Sequence, residues 1–470
     1  MTYAFTFDAS ACSGCKACQI ACKDKNHLPT GVLWRRIYEV SGGSWQQQGA
    51  AWTSDVFAYN LSITCNHCVH PKCAGVCPTD AYIVRPDGIV YIDETKCMGC
   101  GYCAWACPYS APRYNPELRH MTKCNFCFDN LDAGLSPACV AACPLRVLDF
   151  VMIDDEQWTV NGLSSTVCRP LWETPGTEHP FPLPTFSRTQ PHLALKPHVG
   201  MVNGLEKVIA NQEEIKPSES KVRRFWTPKS PDFGEFPLVI FTLCGQMAAG
   251  LAVFGSFFQL STYQLLLLGG LLAVAALASL THLGTPLNAW RAVSHLKKSW
   301  LSREILVFGL FGASWLAWLV ENWFLKTNYG ALSTALLGLG LVHCMAQVYR
   351  IKAVPAWNSW RTNAAFFLSA GVLGLTGAAG GTQLTPIWFL LWGLLAAEAG
   401  LELTGQKSAN ETGDRLRVAG IALAMVGVGI LPVVPVATRI WLSVSISTLS
   451  LLEELTGRWQ FYQALKKRAL

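Results

Sequence analysis

Residues 12–22 read Cys12-Ser13-Gly14-Cys15-Lys16-Ala17-Cys18-Gln19-Ile20-Ala21-Cys22, a C-x2-C-x2-C-x3-C run. Two residues between cysteines let a tight loop wrap three corners of one 4Fe–4S cube, while the fourth cysteine points to a different cube. The run has three counterparts downstream. Cys65, Cys68, Cys73 and Cys77-Pro78 form the second, with four residues between Cys68 and Cys73; Cys97, Cys100, Cys103 and Cys107-Pro108 form the third. Cys124 and Cys127, followed after eleven residues by Cys139 and Cys143-Pro144, form the fourth.

Because each run lends its last thiol elsewhere, the runs exchange ligands in pairs. Pairing the first with the fourth and the second with the third nests one two-cluster module inside another. This assigns four 4Fe–4S clusters: Cys12/Cys15/Cys18/Cys143, Cys22/Cys124/Cys127/Cys139, Cys65/Cys68/Cys73/Cys107 and Cys77/Cys97/Cys100/Cys103. C-x2-C pairs also build zinc sites, but zinc does not account for a C-x2-C-x2-C-x3-C run ending in proline. Gly14, Gly99 and Gly101 permit close backbone approach, and the prolines restrict the exit of the chain. Cys168, Cys244 and Cys344 are isolated and read as small buried residues.

Outward from the cysteines, the composition changes sharply. Of 19 cysteines, 17 precede residue 170; residues 1–234 carry 21 basic and 22 acidic side chains, and residues 235–470 carry 16 and 9. The opening Met1–Asp8 has neither a basic nor an apolar leader segment, so metal ligation is expected rather than a secreted disulfide scaffold. No basic patch interleaved with aromatics accompanies the net charge of +6, so no nucleic-acid partner is expected. Short alternating runs such as Gly88-Ile89-Val90-Tyr91-Ile92-Asp93 predict strands beside the cluster loops, as in a ferredoxin. Residues 169–234, with ten prolines, predict an interrupted, extended connector, either a flexible linker or an ordered arm on a partner.

From Phe236 onward eight apolar stretches approach the ~20 residues needed to cross a bilayer: 236–259, 263–284, 304–325, 330–349, 362–381, 386–403, 418–435 and 439–456. The fold class expected is therefore an α+β ferredoxin-like pair of double-cluster modules (1–168), the connector (169–234), and an all-α polytopic membrane bundle of eight helices (235–470). Fourteen Lys and Arg fall in loops and tail on the side of the cysteine-rich half, against Lys326 and Arg439 on the other. Basic loops stay cytoplasmic, which predicts a multi-pass protein of the cytoplasmic membrane with its cluster domain facing the cytoplasm.

Ionisable residues at membrane depth are functional candidates. His282, in His282-Leu283-Gly284-Thr285-Pro286, and Glu304, in Ser302-Arg303-Glu304, lie at helix ends on the cluster side. Oxidising a quinol releases two protons with two electrons, and imidazole and carboxylate suit their acceptance; Arg291 is placed to orient the carboxylate or a quinone oxygen. Glu304 also reads as a first-turn residue favoured by the helix dipole. His343 with His282 would supply two axial ligands, but no haem is expected. Glu321, Glu398, Glu402, Glu453 and Glu454 read as interfacial.

Residues 1–215 resemble the four-cluster iron–sulfur subunit of the dimethyl sulfoxide reductase family, through Cys18-Gln19-Ile20-Ala21-Cys22-Lys23-Asp24, Cys65-Asn66-His67-Cys68 and His120-Met121-Thr122-Lys123-Cys124. Residues 233–470 resemble that family's eight-helix anchor, through Glu235-Phe236-Pro237-Leu238, His282-Leu283-Gly284-Thr285-Pro286 and Gly457-Arg458-Trp459-Gln460-Phe461-Tyr462. Relatives usually carry these as two subunits, here fused. The resemblance implies electron relay between a quinone (menaquinone or ubiquinone) site in the anchor and a separate molybdopterin-containing catalytic subunit. It also implies that His282 and Glu304 match the family's quinol-site pair and that the Cys65/Cys68/Cys73/Cys107 cluster lies nearest the membrane. The direction expected is quinol oxidation; the alternatives are the reverse relay of a quinone-reducing sulfite dehydrogenase, or a free-standing membrane ferredoxin.

Overall fold

The structure is a computed structural model and describes residues 1–54, 56–153, 189–196, 198, 236–354, 356–379, 385–403, 411–431 and 436–463. Most of the proline-rich stretch 169–234, Cys168, and several basic residues of the loop count (Lys407, Lys466, Lys467, Arg468) lie outside them. Contacts divide the chain into a unit at Met1–Asp232 and a unit at Phe233–Arg468.

The first unit is built from short pieces set between and around its cysteine loops; the longest helix among its described residues is Ala17–Lys25. Thr2–Asp8 is the central strand of a three-stranded sheet. It runs antiparallel to Leu148–Ile153, with Phe5 opposite Phe150, and parallel to Leu193–Lys196, with Phe7 opposite Leu195. Part of the connector, Leu193–Lys196, is therefore a strand of this unit's own sheet, where the sequence suggested a linker or an arm on a partner. Two-stranded ladders join Arg36–Gly42 to Phe57–Ile63, Tyr82–Val84 to Val90–Ile92, and Arg113–Asn115 to His120–Thr122. The strand expected over 88–93 shortens to Val90–Ile92. Gly88, at φ +79°, closes a turn in which its N–H donates to Arg85 O at 3.0 Å. Phe5, Phe126, Leu61, Ile63 and Leu148 form one core with the thiols of Cys18, Cys22, Cys65, Cys107, Cys124, Cys139 and Cys143. Within it Phe5 stacks on Phe126 with centroids 4.0 Å apart.

Among its described residues the second unit contains eight long helices, numbered here α1 Phe236–Phe257, α2 Thr262–Thr281, α3 Trp300–Phe324, α4 Gly330–Tyr349, α5 Trp360–Ala379, α6 Thr385–Leu403, α7 Glu411–Ile430 and α8 Val436–Gln463. Among the described residues, α1 to α4 are long and apolar enough to cross a membrane. Large apolar side chains such as Leu267, Leu277, Leu310, Leu336, Val426 and Val444 remain exposed on the bundle's outside, the pattern expected where lipid is the solvent. Helix α1 packs on α2, α4, α5 and α8, and small residues allow the approach: Ala248, Ala249 and Ala252 are fully buried on it. Ser261 caps α2 in a reciprocal box with Gln264, satisfying two otherwise unpaired backbone donors. A 3-10 helix, Pro286–Val293, links α2 to α3.

Candidate functional site: thiol quartets and a buried polar chain

The four cysteine loops share one backbone device. The residue two after the first cysteine has positive φ in every run: Gly14 (+69°), His67 (+42°), Gly99 (+72°) and Phe126 (+62°). A left-handed residue turns the chain so that flanking side chains converge on one side. Asn60 Oδ1 would lie 2.5 Å from a Cβ at Gly14, so a larger residue there also requires the Asn60 side chain to shift. Peptide N–H groups turn toward the sulfurs: Phe126 N donates to Cys124 Sγ at 3.3 Å, Ala81 N to Cys77 Sγ at 3.4 Å and Ala111 N to Cys107 Sγ at 3.4 Å.

The thiols gather across the runs. Cys12 has Cys15 and Cys143 as charged neighbours; Cys22 has Cys139 and Cys127; Cys73 has Cys107, Cys65 and Cys68; and Cys103 has Cys100, Cys97 and Cys77. Two quartets line cavities outright. Cys65, Cys68, Cys73 and Cys107 border one, of about 390 Å³ including its mouth, and Cys12, Cys15, Cys18 and Cys143 border another, of about 330 Å³. Burial first, then the neighbouring thiolates, push the Cys22 thiol up to about 12; Cys73, Cys103 and Cys124 are raised for the same reasons. Thiolates so placed repel one another unless a cation holds them.

The spacing distinguishes between cations. A tetrahedral zinc site with Zn–S of about 2.3 Å brings its sulfurs to about 3.8 Å from one another. Among the described residues, no three of these thiols have sulfurs all within 4.8 Å of one another. The quartets are too open for a single ion, and their donor set fits the larger iron–sulfur cube.

In the helical unit, His282 caps the C-terminus of α2, half-buried, with Nδ1 lacking a hydrogen-bond partner among the described residues. Arg291 lies on the 3-10 helix 5.1 Å from the Trp290 ring, and its Nε is likewise unpaired. Glu304 is only 3 % exposed. Helix α3 begins at Trp300, so Glu304 stands beyond the first turn, which removes the dipole reading. No hydrogen bond or ion pair among the described residues joins His282, Arg291 and Glu304. His343 is exposed on α4 with Trp300 at 5.8 Å.

The acidic residues read as interfacial divide. Glu321 caps α4, accepting from Thr327 Oγ1 at 2.6 Å, Tyr329 N at 2.6 Å and Gly330 N at 2.7 Å. Glu398, Glu453 and Glu454, by contrast, are buried, with carboxylate oxygens within 4.8 Å of one another. Arg417 Nε donates to Glu453 Oε1 at 2.8 Å, and Ser369 Oγ donates to Glu454 Oε2 at 2.7 Å. Buried Arg458 lies over the Phe366 ring at 4.0 Å and donates to Gln246 Oε1 at 2.9 Å. Tyr349 and Tyr462 share a hydroxyl–hydroxyl hydrogen bond, and both lie in the electrostatic neighbourhood of Glu304. Arg458 NH2 also reaches Ser369 Oγ at 3.4 Å, so a buried polar chain runs from Gln246 through Arg458 and Ser369 to Glu454, with the two tyrosines in its electrostatic reach. The Glu402 side chain lies outside the described residues.

Thiol loops of this form and an apolar helical unit define an iron–sulfur protein with a membrane anchor. Residues 56–153 match the 4Fe-4S dicluster domain, and residues 231–386 match the DMSO reductase anchor subunit (DmsC). The sequence is similar to one polypeptide of the anaerobic dimethyl sulfoxide reductase of Escherichia coli (strain K12), 45 % identical over 215 residues, which span 45 % of this sequence and 98 % of that one. It is also similar to the thiosulfate reductase electron transfer subunit of Salmonella typhi, 39 % identical over 156 residues, 33 % of this sequence and 78 % of that one. A third relative is a polypeptide of the tetrathionate reductase of Salmonella typhimurium, 41 % identical over 143 residues, 30 % of this sequence and 54 % of that one. The protein belongs to the dimethyl sulfoxide reductase family and carries the iron–sulfur part and the anchor part of that family in one polypeptide.

Proposed function

We propose that the protein carries electrons from a membrane quinol, menaquinol or ubiquinol, to a separate molybdopterin-containing catalytic subunit of the dimethyl sulfoxide reductase type. The observation that carries this reading is that thiols of separate runs lie beside one another, Cys12 by Cys143, Cys22 by Cys139, Cys73 by Cys107 and Cys103 by Cys77. Cys12/Cys15/Cys18/Cys143, Cys22/Cys124/Cys127/Cys139, Cys65/Cys68/Cys73/Cys107 and Cys77/Cys97/Cys100/Cys103 would each hold a 4Fe–4S cluster, and bound clusters supply one-electron carriers in series.

Neighbouring thiols support an order for the series. Cys18 neighbours Cys139, joining the first quartet to the second, and Cys124 neighbours Cys65, joining the second to the third. The third and fourth share the short helices Lys72–Val76, which carries Cys73 and ends at Cys77, and Tyr102–Ala106, which carries Cys103 and ends at Cys107. On this order Cys77/Cys97/Cys100/Cys103 takes the end of the row, and Cys65/Cys68/Cys73/Cys107, which the family resemblance put nearest the membrane, takes third place.

In the anchor, all eight helices cross the cytoplasmic membrane, with the basic loops and the iron–sulfur unit on the cytoplasmic side. His282 and Glu304 accept the protons that leave a quinol with its electrons, and Arg291 orients the headgroup. Iron analysis tests the first part: about sixteen irons per chain are expected, and stoichiometric zinc refutes it. His282→Ala and Glu304→Gln test the second. Each is expected to abolish reduction of the centres by a quinol analogue while dithionite still reduces them; unchanged quinol-driven kinetics would remove the residue from the site.

A further inference from the structure

Arg35 is a buried cation without a carboxylate partner among the described residues. It is 2 % exposed, and its guanidinium lies 4.4 Å from the Phe5 ring centroid. Its NH1 group donates to Ser62 Oγ at 3.0 Å, and that hydroxyl lies 3.7 Å from Cys18 Sγ. Nε and NH2 have no hydrogen-bond partner among the described residues. The negative groups acting on it most strongly are the thiols of Cys139, Cys18, Cys124 and Cys22. One of these belongs to the quartet completed by Cys143, and three belong to the quartet of Cys22.

Burying a charge is tolerated only where an opposite charge answers it. Here the answering charge is that of the thiolate sets once a cluster holds them deprotonated. Adding one electron to a cluster makes it more negative, and a fixed cation beside it favours that state. An arginine remains charged at any pH the protein experiences, so its effect is constant rather than switched. The same side chain faces two quartets, so removing it perturbs two centres of four.

We propose that Arg35 sets the reduction potentials of the centres held by Cys12/Cys15/Cys18/Cys143 and Cys22/Cys124/Cys127/Cys139, its charge favouring the reduced form of both. The inference rests on the iron–sulfur reading above. The electron that tests it comes from dithionite through mediator dyes, and no bond is made or broken in the step.

The experiment is an EPR-monitored redox titration of the full chain in membranes, with the centres assigned by cysteine-to-serine variants. Arg35→Gln and Arg35→Met are expected to disfavour reduction of those two centres at least tenfold, a fall of ~59 mV for one electron. The other two centres stay in place, and Arg35→Lys, which keeps the charge, recovers most of the loss. Loss of only those two centres in the neutral variants, restored by lysine, also supports the charge. Unmoved potentials, an equal shift of all four, or loss of all four in both neutral variants overturns the proposal. Absence of iron from the unmodified chain would instead defeat the cluster reading itself.

Discussion

The crossing of α1 over α5 offers a direct test of the packing that holds the buried polar chain. A Cβ at Gly250 would stand 1.8 Å from Ala370 O, and one at Gly374 would stand 2.3 Å from Gly250 C. Both obstacles are backbone, so neither can rotate away. Reaching an ordinary contact near 3.4 Å requires the helices to part by about 1.6 Å. Alanine in place of glycine gains about 1 kcal/mol of helix propensity, while forced overpacking costs about 1–3 kcal/mol and sometimes more. With rigid backbone on both sides the upper end applies, leaving a net loss of about 2 kcal/mol. Gln246, one turn before Gly250, donates through Nε2 to Phe366 O at 3.3 Å and accepts from Arg458, so parting the helices also strains that link. Thermal loss of the native elution peak in detergent is the assay. Gly250→Ala is expected to lower the midpoint by roughly 5 °C, and Gly374→Ala to do the same. Gly393→Ala is the control, because nothing lies within 4 Å of its added Cβ. If Gly250→Ala proves as stable as Gly393→Ala, the close crossing does not exist.

Cys22→Ser is expected to remove the centre shared with Cys124, Cys127 and Cys139 and to spare the one containing its sequence neighbour Cys18; EPR and the loss of up to about a quarter of the iron would show it. Arg458→Met leaves Gln246 Oε1 and the buried Ser369–Glu454 pair without their cation and is expected to cost about 1–3 kcal/mol, and Arg458→Lys is not expected to restore the stacking on Phe366; yield and thermal midpoint in detergent measure both. The half-exposed Lys25–Asp129 pair fastens the helix Ala17–Lys25 to the short helix Phe128–Asp132. The Lys25 hydrogen bond, partly opposed by burial, holds the Asp129 carboxyl below the usual range. A depressed carboxylate contributes its stability above the unfolded value near 4 and loses it as pH falls through the lower folded value. Lys25→Met is therefore expected to cost less than about 1 kcal/mol, constant from pH 8 to 5 and shrinking below pH ~4, as thermal melts against pH would show.

The cysteine runs were legible because cluster chemistry constrains spacing locally, and the expectation that each run lends its last thiol away anticipates neighbours such as Cys12 and Cys143 or Cys73 and Cys107. The left-handed residue of each loop was only half legible. Glycine marks it at Gly14 and Gly99, but His67 and Phe126 occupy the same place with side chains that pay the backbone cost by burial. Those two side chains meet edge to face, ring centroids 5.2 Å apart. A sequence reader looking for glycine misses the second and fourth loops; counting two residues on from each first cysteine finds them.

The carboxylate group was hidden for a different reason. Glu398, Arg417 and Glu453 come from α6, α7 and α8, and no periodicity within one helix places them together. The one local signal is Glu454 followed four residues later by Arg458, which helical geometry puts on one face. Read with the general cost of charge at membrane depth, that spacing argues for burial, since a pair sharing one face of a long apolar helix gains most where water is excluded and a further partner is within reach. Position near a helix end therefore does not by itself make an acidic residue interfacial. Glu321 and Glu454 both stand in the last third of their helices, and what separates them is the partner each finds: free backbone N–H groups for the one, and Ser369 in the bundle interior for the other.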